Sequence, residues 1–180
     1  AYYQALLEGL ALVFKLGQNV LYIYIHPDRY IPRGSGTTLD KFQSVYQEIE
    51  FVQYHDRHGD RLDTCLWLDD ILHACNSLRP HYHEWFVHYP AQFLTQMKRV
   101  LFLGGGDNML LHEVLKYSDL ELVIGMELDP IVVRGSFKHF KTEPHYDDDR
   151  VQWWFGDAAK SLKMLPNKYL GTFDLVVVDL

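Results

Sequence analysis

Short apolar runs separated by turn-forming residues dominate the first half of the chain. From residue 46 onward they predict strands at 49–54, 62–68 and 71–74, with turns at 57–60 and at Asp69 and Asp70. The stretch 80–93 then carries aromatic residues at helical spacing, which predicts a helix before Pro90. We therefore interpret residues 44–95 as a small β-hairpin subdomain followed by a helix.

The pattern changes near residue 96. Buried-strand patterns are found at about 99–104, 122–127, 151–156 and 173–179, and helical patterns lie between them. Strands that alternate with helices form a parallel sheet with helices on both faces. Residues 96–180 thus predict an α/β, Rossmann-like, doubly wound nucleoside-binding domain. The last strand pattern stops at the end of the sequence, so we expect this sheet to be truncated at its C-terminus.

Residues 1–43 form the least regular part of the chain. Residues 1–25 predict either a helix that runs into a strand or the inner end of a membrane-proximal helix. Glu8 and Lys15 argue against a helix that spans a membrane within these residues. Proline and glycine make 27–38 a loop, so we interpret 1–43 as an N-terminal helix and linker. The chain begins at Ala1, and we expect it to be a segment of a longer protein.

Three consecutive glycines follow the first strand of the predicted parallel sheet. Gly104, Gly105 and Gly106 end the apolar run 100–103, and a helical pattern follows them. Glycines at such a turn let a nucleotide approach the backbone N–H groups at the start of a helix. The dinucleotide-binding pattern would require another glycine where Met109 stands, so the turn predicts a single nucleoside rather than a pyrophosphate.

Four acids follow or close the four predicted parallel strands: Asp107, Glu127, Asp157 and Asp179. The carboxyl ends of such strands form the ligand-binding edge of the sheet, where Glu127 is positioned to hold a ribose diol. Asp107 and Asp157 would also suit the N-caps of the following helices. Several carboxylates at one edge predict a cationic ligand and acid–base chemistry.

The composition narrows the function classes. The 180-residue chain is 48% hydrophobic, and its net charge is −7 with a pI near 5.7. An acidic chain argues against a nucleic-acid surface and suits a cationic small substrate, although many cytosolic enzymes are mildly acidic. Cys65 and Cys75 flank the turn at 69–70 and could face each other across two strands. We expect two unpaired thiols in a reducing compartment.

The histidine-rich stretch 81–88 does not predict a metal site. Two histidines that bind zinc from one face of a helix are four residues apart. His83 and His88 are five apart and would diverge around a helix. We therefore expect no metal ion.

Taken together, the motifs of this chain resemble those of the spermidine synthases, the polyamine aminopropyltransferases. The resemblance covers residues 44–180, and it is closest to the branch that is fused behind membrane segments. The motifs that carry it are Tyr46-Gln-Glu-Ile49, Leu66-Trp-Leu-Asp69, Tyr82-His-Glu84 with His88 and Pro90, Gly104-Gly-Gly-Asp107, Glu113-Val-Leu-Lys116, Glu127-Leu-Asp-Pro130, Asp149-Arg-Val151, Gly156-Asp-Ala158 and Phe173-Asp-Leu-Val-Val-Val-Asp179.

The resemblance implies a sheet of the class I methyltransferase type that binds decarboxylated S-adenosylmethionine as co-substrate. By this resemblance Gln47 contacts the nucleoside beside the glycine turn, Glu127 holds the ribose hydroxyls, and Asp157 accepts from the adenine amino group. The implied activity is aminopropyl transfer to a diamine or polyamine. A homodimer in the cytoplasm, or at the cytoplasmic face of a membrane, is implied as well.

On the substrate side, the resemblance assigns four residues. Asp107 would face the aminopropyl amine and the substrate, and Asp179 would help to deprotonate the attacking amine. Tyr82 and His83 would line the substrate side. A protonated amine must lose a proton before it attacks the carbon beside a sulfonium, and a nearby carboxylate can accept that proton.

The sequence also departs from the family pattern near the amine site. Leu78 and Arg79 stand where the family has an Asp-Glu pair, and we expect Arg79 to repel a cationic substrate. His73 replaces a glutamine. Two other functions remain open. The same nucleoside-binding turn would suit an S-adenosylmethionine-dependent methyltransferase, and Leu78 and Arg79 would suit a nucleoside-binding module that has lost turnover.

Overall fold

The computed structural model describes residues 36–55 and 59–180. The predictions for residues 1–35 and for residues 57 and 58 of the predicted turn lie outside these ranges. The described strands are β1 (Thr37–Gln43), β2 (Glu48–His55), β3 (Arg61–Leu68), β4 (Ile71–Cys75), β5 (Arg99–Gly104), β6 (Leu122–Glu127), β7 (Val151–Phe155) and β8 (Leu175–Asp179). The α-helices are α1 (Trp85–Ala91), α2 (Met109–Val114), α3 (Pro130–Phe140) and α4 (Ala158–Met164).

The first four strands form an antiparallel sheet in the order β1-β2-β3-β4. The three strands predicted here are confirmed as β2, β3 and β4, but β1 lies in the region interpreted as a linker. The reason is that β1 is an edge strand with polar residues on both faces, so it lacks the alternation that marks a half-buried strand. Its hydrogen-bonded pairing with β2, rather than the pattern of its own residues, makes this segment a strand.

One face of this sheet packs against α3. Phe51 of β2 lies edge-on to Phe140, with ring centroids 5.5 Å apart, and stacks on His139 at 4.7 Å. Gly135 permits this contact because a Cβ atom there would lie 2.4 Å from the Phe51 ring. The packing holds the β3–β4 hairpin over the end of the parallel sheet.

The opposite face carries a disulfide bond between Cys65 and Cys75. The prediction of two unpaired thiols is therefore wrong. It rested on the redox compartment, whereas the register of β3 and β4 pairs the two residues directly, with Cα atoms 4.1 Å apart. Directly opposed cysteines on antiparallel strands bring their sulfur atoms within bonding reach.

The remaining strands form a parallel sheet in the order β7-β6-β5-β8. Alternate residues of β5 enter two separate cores: Val100 and Phe102 pack with α1 and α2, while Leu101 packs on the other face near Leu165. This confirms the predicted α/β fold with a sheet that is covered on both faces.

A π-helical turn, Pro80–Glu84, continues into α1. The helix predicted from the aromatic spacing is confirmed, but it ends at Ala91 rather than before Pro90. It therefore includes a proline whose missing N–H leaves one helical hydrogen bond unmade. Among the described residues, no helix is long and apolar enough to cross a membrane.

The disulfide generates a stability prediction. It closes a loop between residues that are ten apart in sequence. Reduction is expected to lower the free energy of unfolding by about 2–3 kcal/mol, because the unfolded chain regains the entropy of that loop. Urea denaturation with and without reductant measures this difference.

The matched control is the double variant Cys65→Ala/Cys75→Ala, whose stability should not respond to reductant. Titration of free thiols in the unreduced, unfolded chain checks the bond directly. Two reactive thiols in that titration would show that the bond is not formed.

Candidate active site

A cavity of about 580 Å³ lies where the β3–β4 hairpin covers the carboxyl ends of β5, β6 and β8. The hairpin contributes Leu66, Leu68, Leu72, His73 and Ala74, and the segment before α1 contributes Leu78, His81, Tyr82 and His83. The strand ends contribute the glycine turn, Asp107, Glu127 and Asp179. The cavity thus has an apolar side and a side with converging carboxylates.

The glycine turn is shaped by the groups that crowd around it. Gly104 and Gly105 have positive φ angles of 88° and 76°. A Cβ atom on Gly104 would lie 1.8 Å from the backbone oxygen of Asp179, and one on Gly106 would lie 2.6 Å from Oε2 of Glu127. Each glycine therefore allows a neighbouring acidic residue to approach the end of β5, besides leaving the turn open toward the cavity.

Glu127 closes β6 inside this cavity and is only 7% exposed. Its Oε1 accepts a hydrogen bond of 2.9 Å from the backbone N–H of Asp129. Burial raises the pKa of the Glu127 carboxyl, although backbone hydrogen bonds from Asp129 and Gly106 oppose this shift. These donors fix the carboxylate, so that it can accept hydrogen bonds from a ligand.

Asp107 makes a different contact with each of its two carboxylate oxygens. Its Oδ1 accepts from the backbone N–H of Met109, the first residue of α2, at 2.8 Å, while Asn108 occupies the N-cap position. Its Oδ2 lies 2.9 Å from Nε2 of His83, and both side chains are buried. Nδ1 of His83 has no hydrogen-bond partner among the described residues. One oxygen thus fixes the carboxylate to the start of α2, and the other contacts His83 in the cavity.

Asp179 reaches the same point from β8, which pairs with β5 so that Gly104 and Asp179 are neighbours. The hydroxyl of Tyr82 donates a hydrogen bond of 2.6 Å to its Oδ1. Burial raises the pKa of Asp179, and the nearby charge of Asp107 adds to this effect, while the Tyr82 hydrogen bond opposes it. Burial and Asp179 together raise the pKa of Tyr82.

Three of these side chains form a compact cluster. His83, Asp107 and Asp179 each bring one nitrogen or oxygen ligand atom to within 4.8 Å of the others. Such a set suits hydrogen bonds to an ammonium group, and it would also accept a metal ion. The sequence identified all three residues, but the expectation of no metal was based only on the spacing of His83 and His88.

Two other predicted residues differ in their position. Gln47 lines the cavity. Asp157 follows β7 but does not line the cavity; its Oδ1 caps α4 by accepting from the backbone N–H groups of Ala159 and Lys160 at 2.9 and 3.2 Å. The capping alternative is therefore observed for Asp157, and its role toward adenine stays a prediction.

Arg79 is turned away from the cavity, contrary to the expectation that it would repel a cationic substrate there. Its Nε lies 3.8 Å from Oε1 of Glu113, which is 1% exposed. Burial alone would raise the pKa of Glu113, but hydrogen bonds from Lys116 and His88 hold it below its ordinary value. The spacing of residues along the sequence could not show this contact with Glu113, since the contact depends on how α2 packs beside residue 79.

Sequence reasoning did not assign Leu72 or His81 to the site, nor Leu128 and Val132. Their positions depend on the register of β4 and on the packing of α3 against the first sheet. Alternation along β4 could not have shown them, because the register of β3 and β4 is irregular between Leu66 and Trp67.

Comparison with known proteins gives a family and a fold. The spermine/spermidine synthase domain family matches residues 79–180. A polyamine aminopropyltransferase of Thermoanaerobacter sp. (strain X514) is 39% identical over 115 residues, which are 63% of this chain and 40% of that protein. Polyamine aminopropyltransferase 2 of Caldanaerobacter subterraneus is 36% identical over 138 residues, which are 76% of this chain and 43% of that protein.

Solved structures agree with this similarity. The crystal structure of spermidine synthase from Thermotoga maritima aligns with a TM-score of 0.68 at 29% identity, covering 79% of this chain and 48% of that one. A spermidine synthase in complex with the transition-state analogue AdoDATO aligns with a TM-score of 0.69 at 28% identity, covering 79% and 46%. The chain therefore spans less than half the length of these relatives.

The raised pKa of Asp179 predicts a pH-dependent stability. An unfolded aspartate titrates near pH 3.9, so between that value and the raised pKa the folded chain binds more protons than the unfolded chain. The contribution of Asp179 to the free energy of unfolding should therefore fall as the pH rises through its folded pKa. In Asp179→Asn this contribution is absent.

Urea denaturation from about pH 4 to about pH 7 tests this prediction. The stability of the wild type should decline relative to that of Asp179→Asn across the range. A difference that stays constant, or that shifts in favour of the wild type as the pH rises, would contradict the assignment.

Proposed function

The chain belongs to the spermine/spermidine synthase family, and we propose that its protein transfers an aminopropyl group from decarboxylated S-adenosylmethionine to a primary amine of a diamine or polyamine. The observation that carries this proposal is the convergence of Asp107 and Asp179, with Tyr82 and His83, beside the glycine turn. Two carboxylates at one end of a cavity suit a reaction that joins two amine-bearing substrates. Because the chain spans less than half of its relatives, the test requires the full-length protein.

The nucleoside of the co-substrate would bind on the Glu127 side of the cavity. Glu127 is buried and fixed by backbone donors, as a carboxylate that holds a ribose diol must be. Gly106 leaves room beside it, and Gln47 lines the same cavity. Asp157 would reach the adenine amino group with the oxygen that does not cap α4.

The acceptor amine would bind between Asp107 and Asp179. Asp107 orients the amine, and Asp179 takes its proton, because burial gives this carboxyl a raised pKa and hence a greater affinity for protons. The Tyr82 hydroxyl fixes one oxygen of Asp179. The amine nitrogen then bonds to the carbon beside the sulfonium, the carbon–sulfur bond breaks, and the sulfur leaves as a neutral thioether.

The same carboxylates separate this proposal from the two alternatives. Asp107 would attract the free ammonium of the decarboxylated co-substrate and would repel the carboxylate of S-adenosylmethionine, which disfavours a methyltransferase. The hypothesis of lost turnover was motivated by Leu78 and Arg79. Arg79 pairs with Glu113 instead of lining the cavity, whereas Leu78 lines it without adding a charge. Aminopropyl transfer remains the function that the site favours.

We further propose, from the resemblance, that the full-length protein is a homodimer in the cytoplasm or at the cytoplasmic face of a membrane. Membrane attachment would depend on segments outside this sequence. The acidic net charge supports small cationic partners rather than nucleic acid.

Glu127→Gln should weaken the binding of the product 5′-methylthioadenosine by about 1.5–3 kcal/mol, the value of a hydrogen bond to a charged group. Calorimetry on the full-length protein measures this loss. The control is Glu121→Gln, since Glu121 pairs with Lys98 away from the cavity and its change should leave the affinity unaltered. Equal affinities in wild type and Glu127→Gln would contradict the assignment of Glu127 to the ribose hydroxyls.

Asp179→Asn should lower turnover about 10²–10⁴-fold, since it removes a positioned proton acceptor while keeping its shape. Affinity for 5′-methylthioadenosine should stay within about threefold, a change well below 1.4 kcal/mol, because the nucleoside lies toward Glu127. Product formation by the full-length protein, with decarboxylated S-adenosylmethionine and putrescine or spermidine, measures turnover. Near-normal transfer by the variant would contradict the mechanism, and methyl transfer from S-adenosylmethionine by the wild type would favour the methyltransferase.

A further inference from the structure

Tyr82 and His83 are consecutive residues, yet both line the same cavity. The Tyr82 hydroxyl donates to Asp179 at 2.6 Å, and Nε2 of His83 lies 2.9 Å from Oδ2 of Asp107. Successive side chains of an α-helix diverge by about 100°, which would separate these two. They belong instead to the π-helical turn Pro80–Glu84, whose wider winding reduces the divergence. The substrate side of the site therefore depends on the shape of this turn.

The π-helical turn needs support from outside itself, because this winding is rare and occurs in short pieces. Apolar packing supplies part of that support. Val87 of α1 lies in one buried cluster with Leu110 and Val114 of α2. Such contacts are non-directional, so they hold the two helices together without fixing how the preceding turn is wound. Directional contacts on both sides of the turn can fix it.

One buried carboxylate makes contacts on both sides of this turn. Glu113 of α2 is 1% exposed. Its Oε1 lies 3.8 Å from Nε of Arg79, the residue that immediately precedes the turn. Its Oε2 accepts from Nε2 of His88 at 3.0 Å, in the helix that continues the turn. The two oxygens of Glu113 thus hold residues on either side of Tyr82 and His83.

The remaining partners separate the charge of Glu113 from its link to the turn. Lys116 follows α2 and contacts Oε2 of Glu113, so it balances the buried charge without reaching the segment that carries the turn. The Tyr117 hydroxyl lies 2.8 Å from Nδ1 of His88 and holds the imidazole from its other side. Neutralisation and linkage can therefore be tested with different variants.

We infer that Glu113 is a positioning residue for the proposed reaction, because its contacts on both sides of the π-helical turn hold Tyr82 within reach of Asp179. The inference rests on the proposed aminopropyl transfer and adds to it a residue that does not line the cavity. While Tyr82 holds one oxygen of Asp179, the other oxygen takes the proton of the acceptor amine. Glu113 touches neither substrate and acts through the turn.

The first experiment measures turnover of the full-length protein with decarboxylated S-adenosylmethionine and putrescine. Glu113→Gln should lower kcat about tenfold, equivalent to 1.4 kcal/mol, while the affinity for 5′-methylthioadenosine stays within about threefold. In a Tyr82→Phe background the hydroxyl is already absent, so the same substitution should lower kcat by less than about threefold. An unchanged kcat in Glu113→Gln, or an equal loss in both backgrounds, would overturn the inference.

Two further variants separate the link from the charge. His88→Leu breaks the link at its half-buried end and leaves Glu113 paired with Lys116 and Arg79, so it should lower kcat as Glu113→Gln does. Lys116→Gln removes a charge partner but no link, and it should keep kcat within about threefold, below the tenfold step of 1.4 kcal/mol. The opposite ranking of these two variants would show that only charge balance matters, and would overturn the inference.

A second measurement does not depend on turnover. Urea unfolding of wild type, Glu113→Gln, Tyr82→Phe and the double variant measures the coupling of two residues whose hydrogen-bond partners differ. If Glu113 positions Tyr82, the double variant should lose less stability than the sum of the single losses, and additive losses would overturn the inference. Failure of the wild type to transfer to putrescine and spermidine would instead overturn the proposed function, and the unfolding cycle would still decide whether Glu113 positions Tyr82.

Discussion

The close approach of β8 and Glu127 to the end of β5 is the constraint on which the site depends. The backbone oxygen of Asp179 and the carboxylate of Glu127 occupy space that side chains on Gly104 and Gly106 would fill. The backbone N–H of Gly105 donates to that same oxygen of Asp179 at 3.1 Å. The glycines therefore do more than open a turn for a nucleoside. They bring acids from three strands to one edge of the sheet.

The antiparallel sheet completes the site by covering this edge. It contributes no carboxylate to the cavity among the described residues, and its lining side chains are mainly apolar. Its position depends on one tight contact, in which Phe51 packs over Gly135 and against Phe140. Because the cover is apolar, it limits water around the converging acids, which explains why burial is the largest cause of the raised pKa of Glu127 and of Asp179.

Glu113 and Asp179 are carboxylates in different surroundings, and they differ in what they do. Glu113 is surrounded by cations and has a lowered pKa, as expected for a carboxylate whose partners are permanently or readily charged. Asp179 is instead near another carboxylate and has a raised pKa. In the first cluster, around Glu113, the carboxylate has its partners within the protein, among them Arg79. The second leaves charge available for a ligand, which is the property expected of an active site.

The sequence by itself determined the strands, their alternation with helices and most of the converging acids, because these depend on local periodicity and on the rule that parallel strands end at one edge. It missed β1, whose polar faces carry no periodic signal. Only the tertiary structure decided that Cys65 and Cys75 are bonded, that Asp157 caps a helix outside the cavity, and that Arg79 turns to Glu113. Each of these depends on strand register or on the packing of a distant element, and neither is encoded in the spacing of residues along the chain.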